Sequence, residues 1–495
     1  MCPKYQECGT EIPLLQGFGY HYGILFTTFL RAYGIENRQQ TRRTSSQQSY
    51  EAVLVKTYTT PILIAIIAAA LFIRIILIQV NIQRHPDFFS PSHADIHRKL
   101  LAPDQPYMNP FGYEIANVAH ALVCTHEGFA SPFGGATGTT GWVAPGIVLL
   151  YALSFKLFGC FTQQALLCLF GLAIIFSTVI IVLVYKTTLM IFNSPAAALC
   201  SAFAFALCPQ DLWIMLSPHQ TDFNVYAVWF VLVFFLFLQW VKTQSAQHLC
   251  LFSVAAACSL LFNPVMILPT LMCLGFYALR ARTTTGLWWR HVLLTTCIIV
   301  VSVSPYILYQ KQRLGCWTFI KTNGPFEVYL GNRPDFDGVL VYDLFQMHHP
   351  GSNLKEYTAY RTLGEVNYIR TKFVEFIDHF DPVFFISLSI KRFFYFFFIL
   401  KPYIAPERFH TGRLVAEYIS YSLPGLALLL YLLLRHNSLT WEDAALFLYI
   451  MSYALPYLCA GIMYRYSMPI STLASVCVGK LLYSAITQKK SFAHA

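Results

Sequence analysis

Pro61–Val80 reads PILIAIIAAALFIRIILIQV, an apolar run interrupted only by Arg74 and Gln79. A helix of about 20 apolar residues matches a hydrocarbon core of ~30 Å, so this stretch crosses a membrane. Comparable runs recur at 164–185, 195–209, 223–241, 249–262, 265–279, 291–309, 414–434, 443–464 and 467–486, which makes about ten crossings. The whole chain agrees: 495 residues, 56% hydrophobic, 12% charged, mean hydropathy +0.52. Such a composition excludes soluble, disordered and fibrous classes, and the predicted fold class is an all-α polytopic integral membrane protein.

Basic residues set the expected orientation. Arg42, Arg43 and Lys56 precede the first span, and Lys186, Lys242, Arg280, Arg282, Arg290, Arg435, Lys489 and Lys490 all fall on one side when spans alternate. By the positive-inside rule both termini are cytoplasmic, as expected of a multi-pass inner (plasma) membrane protein. The net charge of +10 then serves orientation and anionic membrane lipid, and nucleic acid is not an expected partner. No secretory signal peptide is visible in the first sixty residues. The expected organisation is a cytoplasmic tail (1–60), a transmembrane module (61–309) with a first outer loop (81–163), a second outer segment (310–413), and C-terminal helices with a short tail (414–495). Within the outer segments, 142–158 is too short to cross and 383–400 is split by Lys391 and Arg392, so both read as amphipathic helices at the membrane surface.

Most of the fourteen cysteines sit in or beside apolar runs as small packing residues, and there is no C-x-x-C pair to suggest a zinc ribbon or redox site. Cys124 and Cys316 fall in the two outer segments, and the sequence leaves open whether they are bonded or free. His93 and His97 stand four apart, and His348-His349 are adjacent, but solvated loop histidines are the stronger reading of both. Asp335-Phe-Asp337 precedes Gly338 and reads as an Asp-Gly turn, so no metal ligand is assigned.

Two large outer segments suit an enzyme that works at the outer surface. A transporter would need ionisable residues at the midplane, where Arg74, Glu417 and Asp443 would serve, and no inverted repeat is apparent. A transporter or flippase of lipid-linked precursors is the alternative, and a membrane scaffold the third reading. In the first outer loop, apolar residues at 115, 118, 119 and 122 recur at helical spacing, which places Glu114 in the first turn of an amphipathic helix whose apolar face rests on the membrane. The helix dipole favours an ionised carboxylate there. The Gly-rich stretch 134–141 lacks the ending and setting of a phosphate-binding loop and reads as a flexible lid.

Several motifs then carry a family resemblance. Glu114-Ile-Ala, Gly128-Phe-Ala-Ser-Pro-Phe133, Thr137-Gly followed by Trp142-Val-Ala-Pro145, Lys156-Leu-Phe-Gly159, Glu327-Val-Tyr-Leu-Gly-Asn-Arg333, Tyr360-Arg-Thr-Leu-Gly-Glu365 and Tyr464-Arg-Tyr-Ser-Met-Pro469 occur in an order and spacing that resembles the GT-C superfamily of lipid-phosphate-sugar glycosyltransferases. The closer likeness is to the bacterial branch near the protein O-mannosyltransferases and the lipid A aminoarabinose transferase, over about residues 60 to 485. The resemblance implies glycosylation in the cell envelope by a hexosyl- or pentosyltransferase. The donor would be an undecaprenyl- or dolichyl-type polyprenyl phosphate sugar, and the acceptor an outer-face lipid, polysaccharide or protein. It implies an acidic residue in the first outer loop and a second after the third span, matched here by Glu114 and Asp222 as the catalytic pair. The family's paired Asp-Glu is absent, since Tyr113 precedes Glu114. Asp104 is the rival acid and a candidate for substrate binding. No cofactor is assigned, although some relatives use a divalent cation. Arg465 with Tyr464 is the expected contact for the lipid phosphate, and Lys321 and Arg333 are weaker candidates.

Overall fold

The computed structural model describes residues 45–84, 111–215, 222–282, 286, 288–398 and 411–492. Its contacts gather Thr57–Ala485 into one unit, which carries the site described below. In chain order the helices are α1 (Ser45–Arg84), α2 (Glu114–Val123), α3 (Pro145–Phe158), α4 (Gln163–Phe192), α5 (Pro195–Ala206), α6 (Pro209–Met215), α7 (Asp222–Thr243), α8 (Ala246–Phe262), α9 (Ile267–Ala281) and α10 (Trp288–Leu314). The outer helices α11 (Gly324–Gly331), α12 (Tyr342–His348), α13 (Leu354–Leu363), α14 (Glu365–Asp378) and α15 (Pro382–Phe397) follow, then α16 (Thr411–Arg435), α17 (Trp441–Ala460) and α18 (Met468–Phe492). The described residues form helices and two isolated bridges, with no named strand.

Nine of the described helical segments are long and apolar enough to cross a membrane, beginning with Thr59–Gln83. The expected spans at 164–185, 195–209, 223–241, 265–279, 291–309, 414–434, 443–464 and 467–486 each fall on one of these. The remaining expected span, 249–262, lies in α8, whose 17 residues reach about 25 Å. α10 is the most lipid-facing, with Leu293, Leu294, Val300, Val301 and Leu308 exposed.

Two of the three helices expected to be amphipathic have one exposed apolar side. α3 is only 14 residues long, with Leu149, Leu153 and Leu157 exposed along one side and Ile147, Val148, Tyr151 and Phe155 buried along the other. α15 likewise exposes Val383, Ile386, Ile390 and Phe394 on one stripe. The third is corrected: the apolar face of α2 packs on protein, not lipid. Val118 and Ala119 are fully buried, in a cluster with Trp142, Val148, Tyr151 and Phe155 from the Trp142 turn and α3.

Buried polar groups pin the bundle. Arg74 of α1 is 1% exposed, and its guanidinium reaches Asp211 of α6 at 2.5 Å, Ser177 of α4 at 2.7 Å and the carbonyls of Ala70 and Ala206. Asn224 of α7 donates to the other Asp211 oxygen at 2.8 Å. Five helices, α1, α4, α5, α6 and α7, are thus tied at one point inside the bundle, with the charge paired and hydrogen-bonded as burial demands. The expectation for Arg392 as an interruption of a surface stretch is also corrected. Arg392 is fully buried and donates to the carbonyls of Gly331, Gly338, Leu458 and Cys459 and to Asn332, so it closes the end of α17 against the outer segment. Gly331 makes this junction sterically feasible: a Cβ there would collide with the Ala460 carbonyl.

Candidate functional site

Glu114 is the first residue of α2, partly exposed, and its backbone position at the helix start favours negative charge. The far end of the same helix is fixed by a disulfide between Cys124 and Cys160. Cys124 therefore pairs across the turn before α4, and Cys316 of the second outer segment is a free thiol. Close to the Glu114 carboxylate, at 3.5 Å, lies Nε2 of His349, which is buried among the rings of Phe133, Trp142, Phe326 and Phe345.

Asp222 is the first residue of α7 and is buried. Its neighbour Phe223 lies beneath Arg465, whose guanidinium carbon is 5.2 Å from the ring centroid. Arg465 stands in the short 3-10 turn Tyr464–Ser467 between α17 and α18, and Tyr466 of that turn stacks on Phe223 and on Tyr457. The positive charge of Arg465 acts on Asp222 and on Glu327.

Lys321 and Glu327 complete the cluster from the second outer segment. Lys321 lies just before α11, and its ammonium is coupled to Glu327, Glu114 and Asp222 together. Burial lowers its pKa against the pull of those three carboxylates. Glu327, in the first turn of α11, accepts from Asn323 at 3.1 Å. Burial lifts its carboxyl to about 7, with Lys321 and Arg465 pulling the other way and Glu114 adding to the rise.

The placement of Lys321 depends on Glu365, at the start of α14. This buried carboxylate accepts from the Gly141 amide at 2.7 Å, the Thr322 hydroxyl at 2.6 Å, the Tyr360 hydroxyl at 2.6 Å and the Thr140 hydroxyl. The Thr322 amide in turn donates to the Gly141 carbonyl at 2.9 Å. The end of the Gly-rich stretch is therefore fastened to the second outer segment, which corrects the reading of 134–141 as a free lid at its Thr140–Gly141 end.

Four connections supply the cluster: α1 to α4 (Glu114), α6 to α7 (Asp222), α10 to α16 (Lys321, Glu327, His349) and α17 to α18 (Arg465). They meet at one end of the bundle only if α8 also crosses, because nine crossings would leave Lys321 opposite Asp222. The ten crossings expected from sequence, with the 17-residue α8 among them, would put all four connections on one side.

Of the residues expected from sequence, Glu114, Asp222, Lys321 and Arg465 come together. Arg333 does not: it donates to Tyr329 at 2.7 Å and pairs with Asp335 at 3.1 Å and Glu375 at 3.7 Å, a local network on the outer helices. Asp335 is engaged in that network, with Arg333 and His348 as its partners. Asp104, His93 and His97 lie outside the described residues, as does the Tyr464 side chain. Among the described residues, the one group of three ligand atoms within 4.8 Å is His120, Cys124 and Cys160, and the disulfide takes two of them out of ligand chemistry. Sequence reasoning missed Glu327, His349 and Glu365 as site residues. The first and last stood inside quoted motifs, which was the available signal.

No family model and no curated protein matches this chain. Solved structures do. Archaeal oligosaccharyltransferase AglB from Archaeoglobus fulgidus, in complex with an inhibitory peptide and a dolichol-phosphate, aligns at 12% identity and a TM-score of 0.47, covering 86% of this chain and 51% of that one. The Archaeoglobus fulgidus oligosaccharyltransferase complex with Zn and sulfate aligns at 13% identity and 0.47, over 86% and 50%. ArnT from Cupriavidus metallidurans in the apo state aligns at 14% identity and 0.34, over 74% and 72%. This chain spans about half the length of the oligosaccharyltransferase chains it matches.

Proposed function

We propose that the chain transfers a sugar from a polyprenyl phosphate donor, of the undecaprenyl or dolichyl type, to a hydroxyl on an outer-face lipid, polysaccharide or protein. The observation that carries this reading is the meeting of Glu114 and Asp222 with Lys321 and Arg465 among the connections between the apolar helices. In the reaction, the acceptor oxygen bonds to the anomeric carbon while the bond from that carbon to the phosphate oxygen breaks. The electron pair leaves on the polyprenyl phosphate, with inversion of the sugar. Glu114 receives the acceptor proton, and Asp222 orients the acceptor. Arg465 and Lys321 hold the leaving phosphate, whose negative charge they compensate in a partly dry recess. The same-side termini and the basic connections support a plasma-membrane location with both ends cytoplasmic.

Two of the three residues named for the transporter alternative have structural duties, and the side chain of the third, Glu417, lies outside the described residues. Arg74 is paired with Asp211. Asp443 forms a capping box with Thr440 and accepts from Tyr431 at 2.7 Å. The test is incubation of the purified protein with a panel of radiolabelled polyprenyl-phosphate sugars and membrane extract. One donor should yield a labelled outer-face product together with free polyprenyl phosphate. Arg465→Ala should nearly abolish turnover and Arg465→Lys should raise the donor KM, since a point charge replaces a fork of donors. Movement of intact donor across proteoliposomes with no bond cleavage would contradict the reading.

A further inference from the structure

Among the described residues, His349 is the one imidazole placed against Glu114, and its surroundings fix what it can do. Its Nδ1 lies 3.0 Å from the Gly351 amide, which has a proton to donate. Nδ1 is therefore the acceptor nitrogen, and in the neutral ring the proton must sit on Nε2. Nε2 is the atom 3.5 Å from Glu114 Oε1. The ring is 5% exposed and walled by Phe133, Trp142, Phe326 and Phe345, so it has little freedom to turn and little access to water. Burial holds its pKa below the usual histidine range, against the opposing pull of Glu114.

We propose that His349 is a positioning residue for Glu114: its Nε2–H faces the carboxylate from an aromatic box and holds Oε1, leaving the other oxygen for the acceptor hydroxyl. This rests on the glycosyl-transfer reading and names a residue that the reading did not use. The contact is long for a hydrogen bond, and catalytic contacts of this length commonly tighten when substrate fills a site. A neutral donor has a specific merit here. It steadies the carboxylate without the full counter-charge of an imidazolium, which would make Glu114 a weaker base. The other titratable groups coupled to Glu114 are Tyr113 beside it, Lys321 and Glu327 from the second outer segment, and Tyr466 from the turn before α18.

The test compares His349→Phe with His349→Gln in the full-length protein. Glutamine can present an amide N–H near the place of Nε2, whereas phenylalanine fills the aromatic box and presents none. Loss of a hydrogen bond to a charged group corresponds to about 10–100-fold in rate, so His349→Phe should lower kcat by that factor and shift the acid limb of the pH profile upward. His349→Gln should recover most of kcat and restore the acid limb. Equal activity of both variants and wild type overturns the proposal, as does equal loss in both, which would mark a packing role. A second readout needs no turnover. In 15N-histidine-labelled protein, the resonance lost in His349→Phe should be a neutral ring protonated at Nε2, and Glu114→Gln should move it. A ring protonated at Nδ1, or one indifferent to Glu114→Gln, overturns the proposal. Absence of any sugar transfer by wild type would count against the proposed function, while this spectrum still decides the contact.

Discussion

The Thr322 hydroxyl donates to the buried Glu365 carboxylate at 2.6 Å, one residue along the chain from the Lys321 ammonium. The same carboxylate holds the Gly141 amide, so one side chain joins the first outer loop to the second beside the site. Replacing it by glutamine keeps the shape but turns one acceptor into a donor that faces other donors. Glu365→Gln should cost about 1–3 kcal/mol, the penalty of buried unsatisfied groups. The check is thermal unfolding in detergent, where the Glu365→Gln midpoint should fall by several degrees and the Thr322→Val midpoint by less. An unchanged Glu365→Gln midpoint would mean that the clamp does not bear on stability.

Glu327 should make both stability and donor binding depend on pH. Its folded pKa, about 7, lies above the ordinary carboxyl value, so the folded protein holds a proton that the unfolded chain has lost. The resulting stabilisation is complete below the unfolded pKa and disappears as pH rises through about 7. Ionisation also adds negative charge beside the proposed phosphate site. The donor KM should therefore rise between pH 6 and 8 in wild type, as read on about that interval around the raised carboxyl, and Glu327→Gln should flatten that rise. A parallel rise in both proteins would assign it to another group, with Lys321 the first to examine.

Arg74 and Asp211 form a fully buried ion pair inside the bundle. Removal of one partner from such a pair costs about 3–5 kcal/mol because the other is left charged and unpaired. Asp211→Ala should therefore reduce folded yield and lower the thermal midpoint sharply, while an Arg74→Met, Asp211→Leu double variant should recover much of the loss. Equal destabilisation by the single and double variants would place the cost in packing.

The spans were legible because a membrane crossing is written in local composition, and α8 alone falls short in length. Glu114 was legible because helical spacing after it marks a helix start. Asp222 and Arg465 could be found at span ends. Other features depend on contacts far apart in the chain. Glu365 has acidic character in any reading, but nothing near it announces partners at Thr140 and Gly141. His349 sits beside His348 in sequence, yet only His349 turns inward to Glu114, while His348 lies 3.7 Å from Asp335. Arg333 stands apart from the cluster because its partners, Asp335 and Glu375, are brought to it by the outer helices. Cys124 meets Cys160 because the turn before α4 folds back on the end of α2, which spacing alone does not reveal.

The central claim is that Glu114 takes the acceptor proton during sugar transfer. Its most direct measurement is single-turnover transfer from a saturating labelled polyprenyl-phosphate sugar by wild type and Glu114→Gln in the same membranes. Loss of a general base corresponds to roughly a 10²–10⁴-fold fall in rate, and the glutamine variant should show that fall with its thermal midpoint nearly unchanged. Transfer by Glu114→Gln at the wild-type rate would contradict the account.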